Sequence, residues 1–192
     1  GAVLNDASWR RVHAVELDAS KATGEGMTAS ECDFSSALLV GFAGRYATFR
    51  NSNFRAADLT GAYLYRASFL GDPVTSACMV DTLLDGANLT QAYLAGDFTR
   101  CRFRGGWAVY ARLNQAIFRD AQLEGTSLFR ASAVKTDFNG ASLGGQRGGL
   151  IAIRAAGLAE ALRDSTDLGA QDLARFVAGL TALLERDSGK ST

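Results

Sequence analysis

The residues that could do chemistry are few and poorly placed for it. The chain has one histidine, His13, and three cysteines, Cys32, Cys78 and Cys101. With a single imidazole most Ser or Cys triads have no base. Carboxylates are spread singly, and Asp81 and Asp85 have the spacing of surface positions in the repeat described below. There is no HExxH helix and no Walker A loop, and "GGQRGG" at 144–149 lacks the Lys-Ser/Thr pair of a phosphate cradle. A metal site needs closer Cys or His neighbours than these. No catalytic residue, metal or cofactor is therefore expected. What remains is Arg, Tyr and Trp, side chains favoured at binding surfaces, whose use depends on the elements that carry them.

Those elements count in fives. Phe49, Phe54, Leu59, Leu64 and Phe69, then Leu84, Leu89 and Leu94, are large apolar residues every fifth place. Two places before them stand Ala47, Ser52, Ala57, Ala62 and Ala67, then Thr82, Ala87 and Ala92. This period fits neither a helix nor a strand, and a fixed short period marks a solenoid. One large and one small residue in five point inward, and the other three face water. The stretches "ADLTG AYLYR ASFLG" and "GANLTQAYLAG" resemble the pentapeptide-repeat proteins, whose motif is a small residue, Asp or Asn, Leu or Phe, and two polar residues. The resemblance implies an all-β solenoid, a right-handed quadrilateral parallel β-helix with four pentapeptides per coil. It says little of function, because the family shares an architecture rather than one chemistry.

Extended to the start, the register places Gly24 and Gly44 at large positions and Met27 and Phe42 at small ones, so the bulk there is expected from the opposite inward site. Cys32 and Cys101 fall on small inward positions. "GDPV" at 71–74 reads as a local kink or small bulge, since proline cannot donate to a ladder. After Leu94 the next large residue is Phe98, four places on, which reads as one residue deleted at a tightened corner near Gly96. The two registers together make about seven coils over residues 1–148 at ~4.8 Å per coil.

Residues 149–192 read as a C-terminal αα-hairpin. Ile151, Ala155, Leu158 and Leu162 share one helical face, and Leu173, Phe176, Val177, Leu180 and Leu184 share another. Their apolar faces need cover: as a lid on the last coil or as a homodimer element, as C-terminal helices serve in some proteins this chain resembles. The chain begins inside the pattern, so either a segment once preceded it or this end meets a partner. An odd number of unpaired cysteines suggests reduced thiols in a cytoplasm, and no apolar run approaches the ~20 residues of a membrane span.

If residues twenty apart stack, Arg45, Tyr65, Asp85 and Arg104 form one column, flanked by Tyr46 and Arg66 and by Tyr63 and Arg102. An adjacent side then carries Leu70, Val109 and Phe129, with Trp107 and Tyr110 beside Val109. Trp107 either stands out as part of an apolar patch or tips inward over the small pair Gly106 and Ala108. A protein-interaction scaffold is the first functional expectation, as one domain of a larger protein or as a homodimer. The alternative comes from the resemblance: pentapeptide-repeat proteins of the Qnr type mimic duplex DNA, bind DNA gyrase and shield it from quinolones. Against it, residues 1–149 hold 15 Lys plus Arg and 14 Asp plus Glu, a net of +1, where a mimic of phosphate should be strongly negative. Direct nucleic-acid binding is not expected, because Asp85 interrupts the basic column.

Overall fold

The computed structural model describes residues 1–71 and 77–142. Each five-residue unit is a short extended segment closed by a β-turn. In the first unit the Ala7 amide donates to the Leu4 carbonyl at 3.1 Å, and Asp6, the second central residue of the turn, has φ of 56°. The same left-handed conformation recurs at residues such as Ala56, Arg66 and Gln91. The residue before the large apolar one supports the turn where it is Asp or Asn, because its carbonyl or carboxylate oxygen accepts the amide two places on. Asp33 takes the Ser35 amide, Asn53 that of Arg55 and Asn88 that of Thr90, each at 3.0 Å.

Every strand pairing is parallel, with the chain stacked on its own next turn. Strands β1 (Ser8–Arg10), β2 (Thr28–Ser30), β3 (Thr48–Arg50), β4 (Ser68–Leu70) and β6 (Tyr93–Leu94) form one sheet in the order β1-β2-β3-β4-β6. Strand β5 (Ala77–Cys78) pairs with β7 (Gly96–Asp97). Five stacked strands span four turns of the solenoid, and single parallel bridges continue the stacking to Gln122 and Ser142. The bridges run in four columns, one per side. Side 1 carries Val3, Thr23, Ala43, Tyr63, Asn88, Trp107 and Ser127. Side 2 carries the five-stranded sheet and continues to Arg112 and Ser132. Side 3 runs from His13 through Asn53, Cys78 and Asp97 to Asp137, and side 4 from Asp18 through Asp58, Leu83 and Arg102 to Ser142.

The large residues fill the interior as stacks. On side 3 the rings of Phe34 and Phe54 stack at 4.9 Å and those of Phe98 and Phe118 at 4.7 Å. Phe42 is buried at a small position, and a Cβ on Gly24 or Gly44 would lie 2.5 Å from its ring, so bulk and space have exchanged sites as the pattern predicts. Cys32 and Cys101 are buried as expected, and burial drives the Cys101 thiol far above its ordinary pKa. Thr82 and Thr136, buried at small positions, donate to the carbonyls of Phe54 and Leu113 on the neighbouring coil at 2.8 and 2.7 Å.

Two irregularities set the register. The step from Leu94 to Phe98 is tightened as the sequence predicts, and Gly96 is required there: a Cβ would sit 2.5 Å from the Ala77 carbonyl oxygen. The other corrects the sequence reading. On side 2 Thr48 lies opposite Ser68, a spacing of 20, but Ser68 lies opposite Tyr93 and Asn53 opposite Cys78, a spacing of 25. The chain passes from side 2 to side 3 with five extra residues between Leu70 and Ala77. The proposed kink at Asp72, Pro73 and Val74 lies in this interval, outside the described residues, as does all of 143–192 with the proposed hairpin and Leu158, Leu162, Leu173, Phe176, Val177, Leu180 and Leu184. No helix among the described residues is long and apolar enough to cross a membrane.

Candidate functional site

The five extra residues rearrange the surface. A column counted in strict twenties joins Tyr65 to Asp85, but the Arg66 amide donates to Thr90 and the Gln91 amide to Val109, so Arg45, Tyr65, Thr90, Val109 and Phe129 stand in line. The column of Arg45, Tyr65, Asp85 and Arg104 is therefore incorrect. Asp85 and Arg104 belong to side 4, where Arg102 donates to Asp85 at 2.6 Å and Arg104 to Glu124 at 3.3 Å. The patch of Val109, Phe129, Trp107 and Tyr110 moves onto the column of Arg45 and Tyr65, while Leu70 stays on side 2 beside it. What reads as two patches on two sides is one.

Nine of the eleven candidates meet there: Arg45, Tyr46, Tyr63, Tyr65, Arg66, Trp107, Val109, Tyr110 and Phe129 all lie on side 1 or its turn into side 2. Arg102 and Arg104 do not. All five tyrosines of the chain are on these two sides, Tyr93 on β6 completing the set. Trp107 is 57% exposed and points outward. It has no room to tip inward, because the Phe103 ring already fills the space left by Gly106, where a Cβ would collide with it.

Rings and guanidiniums interleave along this corner. Tyr46 meets Tyr65 edge-on at 5.9 Å, and Tyr110 meets Phe129 at 6.1 Å. Arg45 lies over Tyr46 and Arg66 over Tyr65, both at 5.3 Å, and Arg130 over Tyr110 and Phe129 at 5.6 and 5.4 Å. Such contacts are worth about 0.5–1 kcal/mol each at exposed sites, enough to hold long side chains in place. Gln91 ties the cluster together by accepting from the Tyr65 hydroxyl at 3.1 Å and from Arg66 Nε at 2.5 Å. The Tyr46 hydroxyl, and Glu25 at 4.0 Å, hold the Arg45 guanidinium firmly in its charged form.

The balanced total charge hides a strong asymmetry. From Ala43 to Ser142, the described outward positions of sides 1 and 2 and their turns carry Arg45, Arg50, Arg66, Arg112, Arg130 and Lys135, and no Asp or Glu. Over the same span sides 3 and 4 carry Asp58, Asp81, Asp85, Asp97, Asp120, Glu124 and Asp137 with five arginines. Each of those arginines, Arg55, Arg100, Arg102, Arg104 and Arg119, is ion-paired. Among the described residues no carboxylate pairs with Arg50, Arg66, Arg112 or Arg130, and no group of His, Cys, Asp and Glu could hold a metal ion.

Tyr93, Gln91, Arg112 and Arg130 escaped the sequence reading. A signal for some of them was present. At "AYL" 62–64, "AYL" 92–94, "GWA" 106–108 and "ARL" 111–113, the Asp or Asn of the motif is replaced by Tyr, Trp or Arg. Each replacement gives up a turn hydrogen bond worth about 1 kcal/mol, and these four fall on sides 1 and 2, whereas the same replacement by Arg102 in "CRF" 101–103 falls on side 4.

The comparisons agree with this architecture. The chain belongs to the pentapeptide-repeat family: pentapeptide repeats, in eight copies, match residues 30–71, 97–132 and 109–145. Its fold is similar to that of HetL of the cyanobacterium Nostoc sp. strain PCC 7120, a pentapeptide-repeat protein involved in heterocyst differentiation regulation. The two are 20% identical over 81% of this chain and 86% of HetL, with a TM-score of 0.58. QnrB1, a plasmid-mediated fluoroquinolone resistance protein, is 19% identical over 83% of this chain and 87% of its own, with a TM-score of 0.44. No curated protein matches the sequence.

Proposed function

We propose that this chain is a non-enzymatic interaction scaffold in the cytoplasm, and that it meets a protein partner through sides 1 and 2. The observation that carries this is the gathering of all five tyrosines and Trp107 on a corner that, from Ala43 to Ser142, has no acid among its described outward positions, in a neutral protein. Tyr, Trp and Arg dominate the energetics of protein interfaces, and an exposed aromatic group of this kind marks a contact surface. The reading includes a right-handed rod of about seven coils at ~4.8 Å each over residues 1–148, with residues 149–192 as a helical cap or homodimer element. The test is affinity capture from the source cells with wild type, a Trp107→Arg/Tyr93→Ala variant and a Gln122→Ala control on side 4. The association should vanish in the first variant only, with the circular-dichroism spectrum unchanged. Equal capture by all three proteins would overturn the assignment of this side.

The alternative, a DNA mimic that binds DNA gyrase, needs an uncompensated negative side. The ion pairs on sides 3 and 4 weigh against it. A supercoiling assay with a fluoroquinolone separates the two, because dose-dependent rescue would replace the scaffold reading.

A further inference from the structure

The corner is not flat. An open groove of ≈ 660 Å³ is lined by Arg66, Leu70, Gln91, Tyr93, Tyr110 and Arg112. Among the described residues no carboxylate pairs with either guanidinium. Arg66 uses its Nε on Gln91, leaving its terminal nitrogens, and the Arg112 side chain makes no ion pair or hydrogen bond among the described residues. Guanidiniums beside Leu70, Tyr93 and Tyr110, with no carboxylate paired to them among the described residues, are complementary to carboxylates borne on apolar neighbours.

Resting on the scaffold reading, we propose that this groove is the specificity centre of the surface, and that it takes an acidic protein segment in which carboxylates alternate with aromatic or aliphatic side chains. Arg66 and Arg112 would hold the carboxylates, and Leu70 and Tyr93 the apolar side chains between them. Two other occupants fit less well. A second copy of this chain would have to offer acids, and on sides 3 and 4 Asp81, Asp85, Glu124 and Asp137 are already paired with their own arginines, which leaves only Asp58, Asp97 and Asp120 of the seven acids from Ala43 onward. Single-stranded nucleic acid needs a run of free ring faces for base stacking, whereas Tyr46, Tyr65, Tyr110 and Phe129 each have a guanidinium over the ring, which leaves Tyr93 and Trp107 without one.

The test uses the full chain and fluorescence anisotropy with three labelled probes: a peptide alternating Glu and Phe, its Lys and Phe counterpart, and oligo-dT. The acidic peptide should bind, the basic one should not, and binding should weaken as ionic strength rises. Arg66→Glu/Arg112→Glu should lower affinity for the acidic peptide at least about tenfold, with Arg104→Ala on side 4 leaving it unchanged and with melting curves confirming that each variant is folded. Oligo-dT binding more tightly than the acidic peptide would make the site one for nucleic acid and overturn the inference. Equal binding of both peptides, or of neither, would also overturn it. In those cases a capture that still depends on Trp107 would leave the scaffold standing, so the two proposals fail separately.

Discussion

Phe54 is fully buried, and its ring meets Phe34 at 4.9 Å, Phe49 at 5.1 Å and Phe69 at 5.7 Å. Phe54→Ala removes that ring from a wall whose backbone is fixed above and below by inter-coil hydrogen bonds, so the neighbours have little freedom to close the gap. The cost should lie toward the upper part of the ~3–5 kcal/mol seen for Phe→Ala in cores. The aromatic geometry contributes about 0.5–1.5 kcal/mol per pair within that loss. At ~2–4 °C per kcal/mol for a chain of this size, the melting temperature should fall by roughly 8–20 °C. Guanidinium denaturation followed by far-UV circular dichroism measures the free energy, and two tryptophans report on different coils. Trp9 stacks on Phe34 at 6.0 Å, close to the lesion, whereas Trp107 stands further along the solenoid. In a structure stabilised by nearest-neighbour interfaces, the Trp9 transition should move at least as far as that of Trp107. A loss below about 1 kcal/mol, or an effect confined to Trp107, would refute the inward stacking on which every assignment of sides depends.

Gly106→Ala should cost about 1–3 kcal/mol by overpacking, because its Cβ would collide with the buried Phe103 ring, and a Phe103→Leu background should relieve most of it. Thiol titration of the native protein should find one accessible cysteine, the half-buried Cys78, with Cys32 and Cys101 reacting only on unfolding; fast reaction of all three would contradict the buried register. Stability should be flat near neutral pH and fall in acid. Arg100 beside Asp81 holds that carboxyl below its ordinary 3.8, and Asp137, although burial opposes it, is held below 3.8 by the Asn139 amide and by Arg119. A depressed carboxylate adds stability that is present above its unfolded value and lost as pH falls through the folded one, so melting temperatures should drop from about pH 4 downward. Asp81→Asn should flatten part of that fall, and an unchanged profile would show the Arg100 pair to be inert.

The interior was legible in the sequence because its rule is local. Large and small residues at fixed offsets place Phe54, Ala57 and Leu59 inside without reference to distant contacts, and the exchange of Phe42 with Gly24 and Gly44 follows from volume alone. The tightened corner at Gly96 was legible too, since a missing residue shifts every large position after it. The extra five residues between Leu70 and Ala77 were not, because they equal one repeat and leave the phase intact. Val74 and Met79 both continue the series of large residues, and only the observed pairing of Asn53 with Cys78 shows that Met79 follows Phe54 in the core column. The site inherited that ambiguity. Its residue types were recognised, but Arg102, Arg104 and Asp85 were set beside Arg45 and Tyr65, and the acid-free character of the corner was hidden by a carboxylate that stands on another side.

The same insertion bears on how such surfaces diverge. A unit of one repeat added within a coil can be threaded into the wall, which rotates everything downstream by a quarter turn, or spilled outside it, which leaves every later side where it was. In this chain the pairings on either side of the five extra residues keep every later side where it was, and so Tyr65 and Phe129 still look in the same direction. Two relatives with identical repeat sequences can therefore present different faces to a partner if one spills and the other threads. Repeat number is then an unsafe guide to equivalent surface positions, and a single insertion can redirect a binding face without altering any residue in it.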